Sequence, residues 1–251
     1  MKYSDYIYGY KFKELDDPSN NIKYADTHDL KEINTFFRDA SKSEEPHTLI
    51  THNSDFCVHQ AFPKGMAYWP ENVIWYSTNV NIEHPNIRAI PIGLENPEWH
   101  VQLNKSKKID QLIPEEEGFL GNAVFNAGTH PSRVEVMKHF YELGFICADS
   151  LNGTFFDEYI RIVMQSKFTV CPRGNGIDTH RIWEALYLNS WPLVEDCINV
   201  RLLKESGLPL LPFPDLTKVT LEDLEKPIDK SQFNLEALKM NFWTDKIRNR
   251  K

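Results

Sequence analysis

From residue 118 onward, short apolar runs alternate with amphipathic stretches, and this alternation constrains the fold more than any other feature of the chain. Strands are predicted over 118–125, 145–148, 167–171 and 191–194, the second of them buried. Helices are predicted to open at Pro131, to cover 156–166 and 178–188, and to follow over 200–206. A proline at the first helical position forfeits no hydrogen bond, because that amide has no partner inside the helix. Val134, Met137, Phe140 and Tyr141 share one helical face, and Gly144 suits the helix stop. Strands and helices alternating at this spacing imply parallel βαβ units in a doubly wound sheet, where ligands sit at the carboxyl ends of the strands. The polar loops 126–130, 149–154 and 172–178 each follow a predicted strand and are expected on one rim.

The first ~105 residues, shorter than a typical domain, are mixed. A helix is predicted over 29–37, with strands over 48–51, 72–76 and 87–92; the first of these runs into His52-Asn-Ser-Asp55 and the last closes at Gly93. Residues 97–117 turn polar and charged, including Glu115-Glu-Glu117, and read as a link between domains. The division is therefore an N-terminal α/β domain over 1–105, a C-terminal doubly wound α/β domain over 106–230, and a terminal helix over 231–251 packing back on the N-terminal domain. No internal repeat is visible.

Composition narrows the function classes. With 251 residues, 41% hydrophobic and 25% charged, the chain can build a real core. A net charge of -8 argues against nucleic-acid partners, which need basic surface to neutralise phosphates. Cys57, Cys147, Cys171 and Cys197 form no CxxC pair and have no histidine at zinc-ligand spacing, so reduced thiols in a reducing compartment are expected. The N-terminus lacks the apolar stretch of a signal peptide, and no run approaches the ~20 apolar residues of a transmembrane helix. A cytoplasmic protein is the expectation.

The segment Cys171-Pro-Arg-Gly-Asn-Gly-Ile-Asp-Thr-His-Arg-Ile-Trp-Glu184 carries the chemistry. Arg173, Gly174, Asn175 and Gly176 form a turn between a strand and a helix, where glycines allow close approach of a ligand. Asp178 or Thr179 can cap the helix, whose free amides make an anion site. His180 and Arg181 in the first helical turn oppose the helix dipole, which suggests that an anion is expected there. A diphosphate at the turn and a ribose one turn further on, held by Glu184, would use all of these groups. The alternative is a capped, solvent-facing helix start with a surface Arg–Glu pair. At the preceding strand–helix junction, Arg133 is expected on phosphate; Asn126 and Thr129 join it or simply build the turn.

With the following Trp191-Pro-Leu-Val194, this segment resembles the donor-site signature of exostosin-like glycosyltransferases, in particular compact microbial and large-virus members. Weaker likenesses extend to 48–55, 90–93 and 125–133. Asn189-Ser190 departs from the pattern, where relatives usually carry glycine. The resemblance implies a GT-B-like α/β fold: two Rossmann-like domains with a donor cleft between them. It also implies an inverting transfer from a nucleotide-diphosphate sugar, UDP-linked by preference, to a glycan or other hydroxyl acceptor. No metal and no further cofactor are expected, because no DxD-type acidic pair lies near the motif and arginines can take the cation's role.

An inverting transfer needs a general base for the acceptor hydroxyl. Asp55, at the carboxyl end of the strand over 48–51, is the first candidate and His52 the second, although Asn53-Ser-Asp55 is also a good turn sequence. Two rival readings remain. Gly174 and Gly176 with Glu195 about 20 residues on suggest a dinucleotide-dependent oxidoreductase, but Thr179 stands where its third glycine belongs. A non-catalytic sugar-nucleotide or carbohydrate-binding protein is the other.

Overall fold

The computed structural model describes residues 3–62, 69–99, 108–109, 112, 118–149 and 156–250. Most of the 97–117 link, including Glu115–Glu117, and most of the loop 149–154 lie outside the described residues.

Two parallel sheets organise the chain. The first contains β1 (Ile22–Asp26), β2 (His47–His52), β3 (Val73–Ser77) and β4 (Ile87–Ala89), in the order β1-β2-β3-β4. The second contains β5 (Phe119–Phe125), β6 (Ile146–Asp149), β7 (Ser166–Cys171), β8 (Trp191–Glu195) and β9 (Leu211–Phe213), in the order β6-β5-β7-β8-β9. The helices are α1 (Gly9–Lys13), α2 (Leu30–Ala40), α3 (Val58–Ala61), α4 (Ser132–Glu142), α5 (Phe156–Met164), α6 (His180–Tyr187), α7 (Ile198–Glu205), α8 (Leu221–Glu225) and α9 (Met240–Arg248). This mixed α/β architecture is consistent with a two-domain Rossmann-like fold. Counted within the second sheet, the order is 2-1-3-4-5, with a topological switch between β5 and β7. Phe125 and Cys171 are the last residues of those strands, at the carboxyl ends where doubly wound sheets bind ligands.

Several expectations change. β6 is not buried: it lies at the sheet edge and its residues are half-buried or exposed. Helix α4 turns a different face inward. Arg133, Val136 and Phe140 are buried, whereas Val134 is 57% and Tyr141 71% exposed. The buried face includes a charged residue because that residue finds partners inside, as described below. The predicted helix over 178–188 starts at His180, and the terminal helix is confined to α9.

A single apolar cluster runs from Phe37, Leu49 and Trp75 of the first sheet region to Ile160, Trp183 and Trp243. The face of the second sheet under α4 has its own cluster around Phe125, Phe140 and Phe168. The chain's last residues return to the first sheet: Tyr76 Oη donates to Lys246 O at 3.1 Å, and Arg250 reaches Thr48 Oγ1, Asn20 O and Pro46 O. Among the described residues, no helix is long and apolar enough to cross a membrane.

Candidate active site

The switch point is built around Arg133. Its side chain is 4% exposed and donates to three carbonyls: Nε to Arg173 O at 2.8 Å, Nη1 to Asn126 O at 2.9 Å and Nη2 to Pro172 O at 3.0 Å. Carbonyls following β5 and β7 are thereby held together across the switch. Burial, with Arg181 nearby, lowers its pKa to about 10, so the guanidinium stays charged at neutral pH. The expected direct phosphate ligand is thus a positioning residue in this conformation, contributing charge to the site while its donors hold the loops. Asn126 and Thr129 build the turn: Asn126 Oδ1 accepts from Gly128 N, and Thr129 Oγ1 donates to Asn126 O.

The glycine turn is shaped by protein groups. A Cβ on Gly174 would lie 3.1 Å from Arg133 Nη2, and one on Gly176 would lie 3.0 Å from the Asn79 amide. Asn79, in the left-handed region at φ 53 after β3, accepts the N–H groups of Ile177 and Asp178 on Oδ1, both at 2.8 Å. Gly174 N donates to Gly176 O. In the turn where the sequence places a diphosphate, the amides of Gly174, Ile177 and Asp178 are satisfied internally.

Asp178 is 2% exposed and does not face an open anion site. Its Oδ2 accepts from Ile92 N at 2.8 Å and its Oδ1 from Trp183 Nε1 at 3.1 Å. Burial raises this carboxyl to about 7, with the accepted hydrogen bonds partly offsetting. Thr179 holds the N-cap position of α6, but its side chain makes no capping bond. His180 Nδ1 lies 2.8 Å from Gly93 O, a second bond between the motif and the segment after β4. An N–H must sit on Nδ1 to make that bond, which fixes the ring's orientation.

Arg181 Nε donates to Val124 O at 2.8 Å, and its guanidinium lies over the rings of Phe125 at 5.8 Å and Tyr159 at 5.2 Å. Arg133 occupies another position over Phe125 at 5.3 Å, so two cations share one ring at the end of β5. Glu184 is 3% exposed and accepts from Tyr159 Oη at 2.9 Å; it joins α6 to α5 and is not an open ribose ligand in this conformation. Arg173 is half-buried and Asn175 exposed. Arg173 Nε and Thr179 Oγ1 are both buried without a hydrogen-bond partner, and such orphaned groups call for an explanation. Glu195 at the end of β8 faces Arg173, His130 and Arg133, with burial raising its carboxyl.

Beside the motif lies a cavity of about 170 Å³ whose lining includes Asn53, Ser54, Asp55, Asn96, Trp99 and His180. Asp55 is exposed there. His52 also lines it but is 1% exposed, with Nε2 3.0 Å from Pro91 O and Nδ1 accepting from Asn53 N at 2.7 Å. Burial lowers its pKa to about 4. Both ring nitrogens are thus engaged by backbone groups in this conformation, which differs from the free nitrogen that a base at His52 would need. The sequence reading missed Asn79, Tyr159 and Asn96. Asn79 left one trace, a residue type that tolerates positive φ following a strand, but its partners lie roughly 100 positions away. Among the described residues, no cluster of three or more His, Cys, Asp or Glu side chains is placed to hold a metal ion, and the cysteines are free thiols.

Comparison with known families finds that residues 149–227, from the end of β6 through α8, match the RXYLT1 C-terminal domain family. The match spans the Cys171–Glu184 segment. It supports a broad exostosin-like assignment and points to a glycosyltransferase-family function. No curated protein matches the chain.

Proposed function

We propose that the chain is an inverting glycosyltransferase that moves a sugar from a nucleotide-diphosphate sugar, UDP-linked by preference, to a hydroxyl acceptor in a GT-B-like cleft. The observation that carries this reading is the shared wall of the cavity. The loop after β2 contributes Asp55, and the first residue of the motif helix contributes His180, so an acceptor hydroxyl and a donor at the switch point would meet there.

The donor diphosphate is met by arginine side chains more than by loop amides. Arg173 offers the direct contact, with its orphaned Nε, while Arg133 and Arg181 supply fixed positive charge. As the acceptor oxygen bonds to the anomeric carbon, Asp55 takes its proton. The bond from that carbon to the diphosphate oxygen breaks, and the arginines stabilise the departing charge without a metal. A panel of uridine diphosphate, guanosine diphosphate and NADH, read by calorimetry, tests the assignment. Binding of a nucleoside diphosphate, with release of free sugar or glycoside when the matching nucleotide sugar is supplied, supports it; binding of NADH with neither diphosphate bound sinks it.

A further inference from the structure

The mouth of the cavity carries a feature that the donor chemistry does not use. Trp99 is 45% exposed, one of the larger apolar side chains left at the surface. Its indole is nonetheless held in place. Nε1 donates to Tyr10 Oη at 3.0 Å, and the two rings meet edge to face at 6.2 Å. A polar chain continues inward from this pair: Tyr10 N donates to Asn96 Oδ1, Asn96 Nδ2 to Asn53 Oδ1, and Asn53 Nδ2 to Tyr24 Oη. The chain requires Gly9, because a Cβ there would collide with the Asn53 amide. With its polar atom satisfied by Tyr10 and much of its apolar surface in water, Trp99 presents a fixed indole face at the mouth of the cavity.

The geometry points to Trp99 as the stacking platform of an acceptor subsite for a neutral pyranose ring, with the exposed Asp55 facing its hydroxyls and the Asn53–Asn96 pair fixing the wall beside it. This inference rests on the glycosyltransferase reading for its word acceptor, but the binding itself can be measured independently. A pyranose has a face of C–H groups and a rim of hydroxyls; the indole suits the face, and the Asp55 carboxylate suits the rim. At about 170 Å³, the cavity is smaller than the roughly 300–1,000 Å³ of drug-sized sites, which fits a single ring. A nucleotide would also stack on indole, but its phosphate would be brought beside the Asp55 carboxylate. The cavity wall thus favours an uncharged polyhydroxyl ring.

Saturation-transfer NMR with methyl β-D-glucopyranoside, methyl β-D-galactopyranoside and methyl β-D-xylopyranoside provides the test, on wild type, Trp99→Phe and Trp99→Ala. At least one glycoside is expected to bind wild type and Trp99→Phe, and to bind Trp99→Ala ~10-fold or more weakly. Uridine diphosphate affinity should be the same in all three, which also shows that the variants are folded. Equal glycoside affinity in Trp99→Ala overturns the proposal, as does failure of every glycoside to bind a wild type that takes up uridine diphosphate. If glycosides bind through Trp99 while no nucleotide binds, the subsite stands and the donor assignment falls.

Discussion

The Asp178 carboxylate accepts the backbone N–H of Ile92 at 2.8 Å, joining the donor-motif segment to the chain leaving the first sheet. Both groups are buried, and the other carboxylate oxygen takes Trp183 Nε1. Removing one acceptor would strand a buried donor, so Asp178→Asn is expected to cost about 1–3 kcal/mol in denaturant unfolding. The pH dependence has a definite sign. The carboxyl is raised by burial from 3.8 to about 7 in the folded chain. Its contribution is therefore fully present below the unfolded value and is lost as pH rises through about 7. The stability advantage of wild type over Asp178→Asn should be largest near pH 4, shrink as pH rises to 7 and then level off. An advantage that grows over that window would show that the carboxylate is stabilised where it sits.

His52 carries the opposite sign. Burial holds its pKa at about 4, below its ordinary 6.5, so the folded chain keeps it neutral. Stability from the neutral ring is present above 6.5 and is lost as pH falls toward 4, at about 1.4 kcal/mol per unit. Urea unfolding of wild type and His52→Gln from pH 7 to 4.5 isolates this contribution. Wild type should lose stability faster than the variant on acidification, and parallel curves would contradict the neutral buried ring.

Arg173 and Arg133 should separate binding from folding. Arg173→Ala is expected to weaken uridine diphosphate binding by about 1.5–3 kcal/mol while leaving the unfolding midpoint near wild type. Arg133→Ala removes a side chain bonded to three carbonyls and should lower stability by about 2–4 kcal/mol before any binding is measured. Calorimetry and thermal unfolding on both variants read the two effects, and an undiminished nucleotide affinity in Arg173→Ala would remove that residue from the donor site.

Gly176→Ala tests the packing of the turn. The added methyl would lie 3.0 Å from both amide atoms of Asn79, which is hydrogen-bonded to the next two residues and cannot simply swing away. Overpacking of this kind costs about 1–3 kcal/mol. Asn79→Ala should be similarly destabilising alone, and the double variant should cost less than the sum, because the lost amide makes room for the methyl. Strict additivity would mean that the two residues do not compete for the same space.

Asp55→Asn should reduce turnover by ~100-fold or more while uridine diphosphate affinity changes little, as expected when a general base is lost from the acceptor side. Turnover of wild type should survive EDTA. Initial rates and calorimetry on the same preparations check both expectations. Near-normal turnover in the variant would move the search for a base to His180, which lines the same cavity.

The chain's local chemistry was enough to place β5, β7, β8 and the helices between them. Apolar runs bounded by turn residues and followed by amphipathic stretches have few other solutions, and parallel βαβ units follow from the alternation. The strand–turn–helix placement of 171–184 was legible for the same reason, because those residues are contiguous. Weak patterns hid other elements. β1 contains Lys23 and is short, and β9 has Pro212 in the middle of an edge strand, where a ladder donor is dispensable. Which side chains face a ligand depended on partners remote in sequence. Arg133 and Asp178 look like exposed anion-site residues in the sequence, yet one holds carbonyls across the switch point and the other takes an N–H from the first sheet. Charge and spacing are properties of the chain, but whether a charged group is a ligand or a strut depends on which unpaired backbone groups the fold brings beside it. Burying such groups unpaired is costly enough to turn a nearby polar side chain inward.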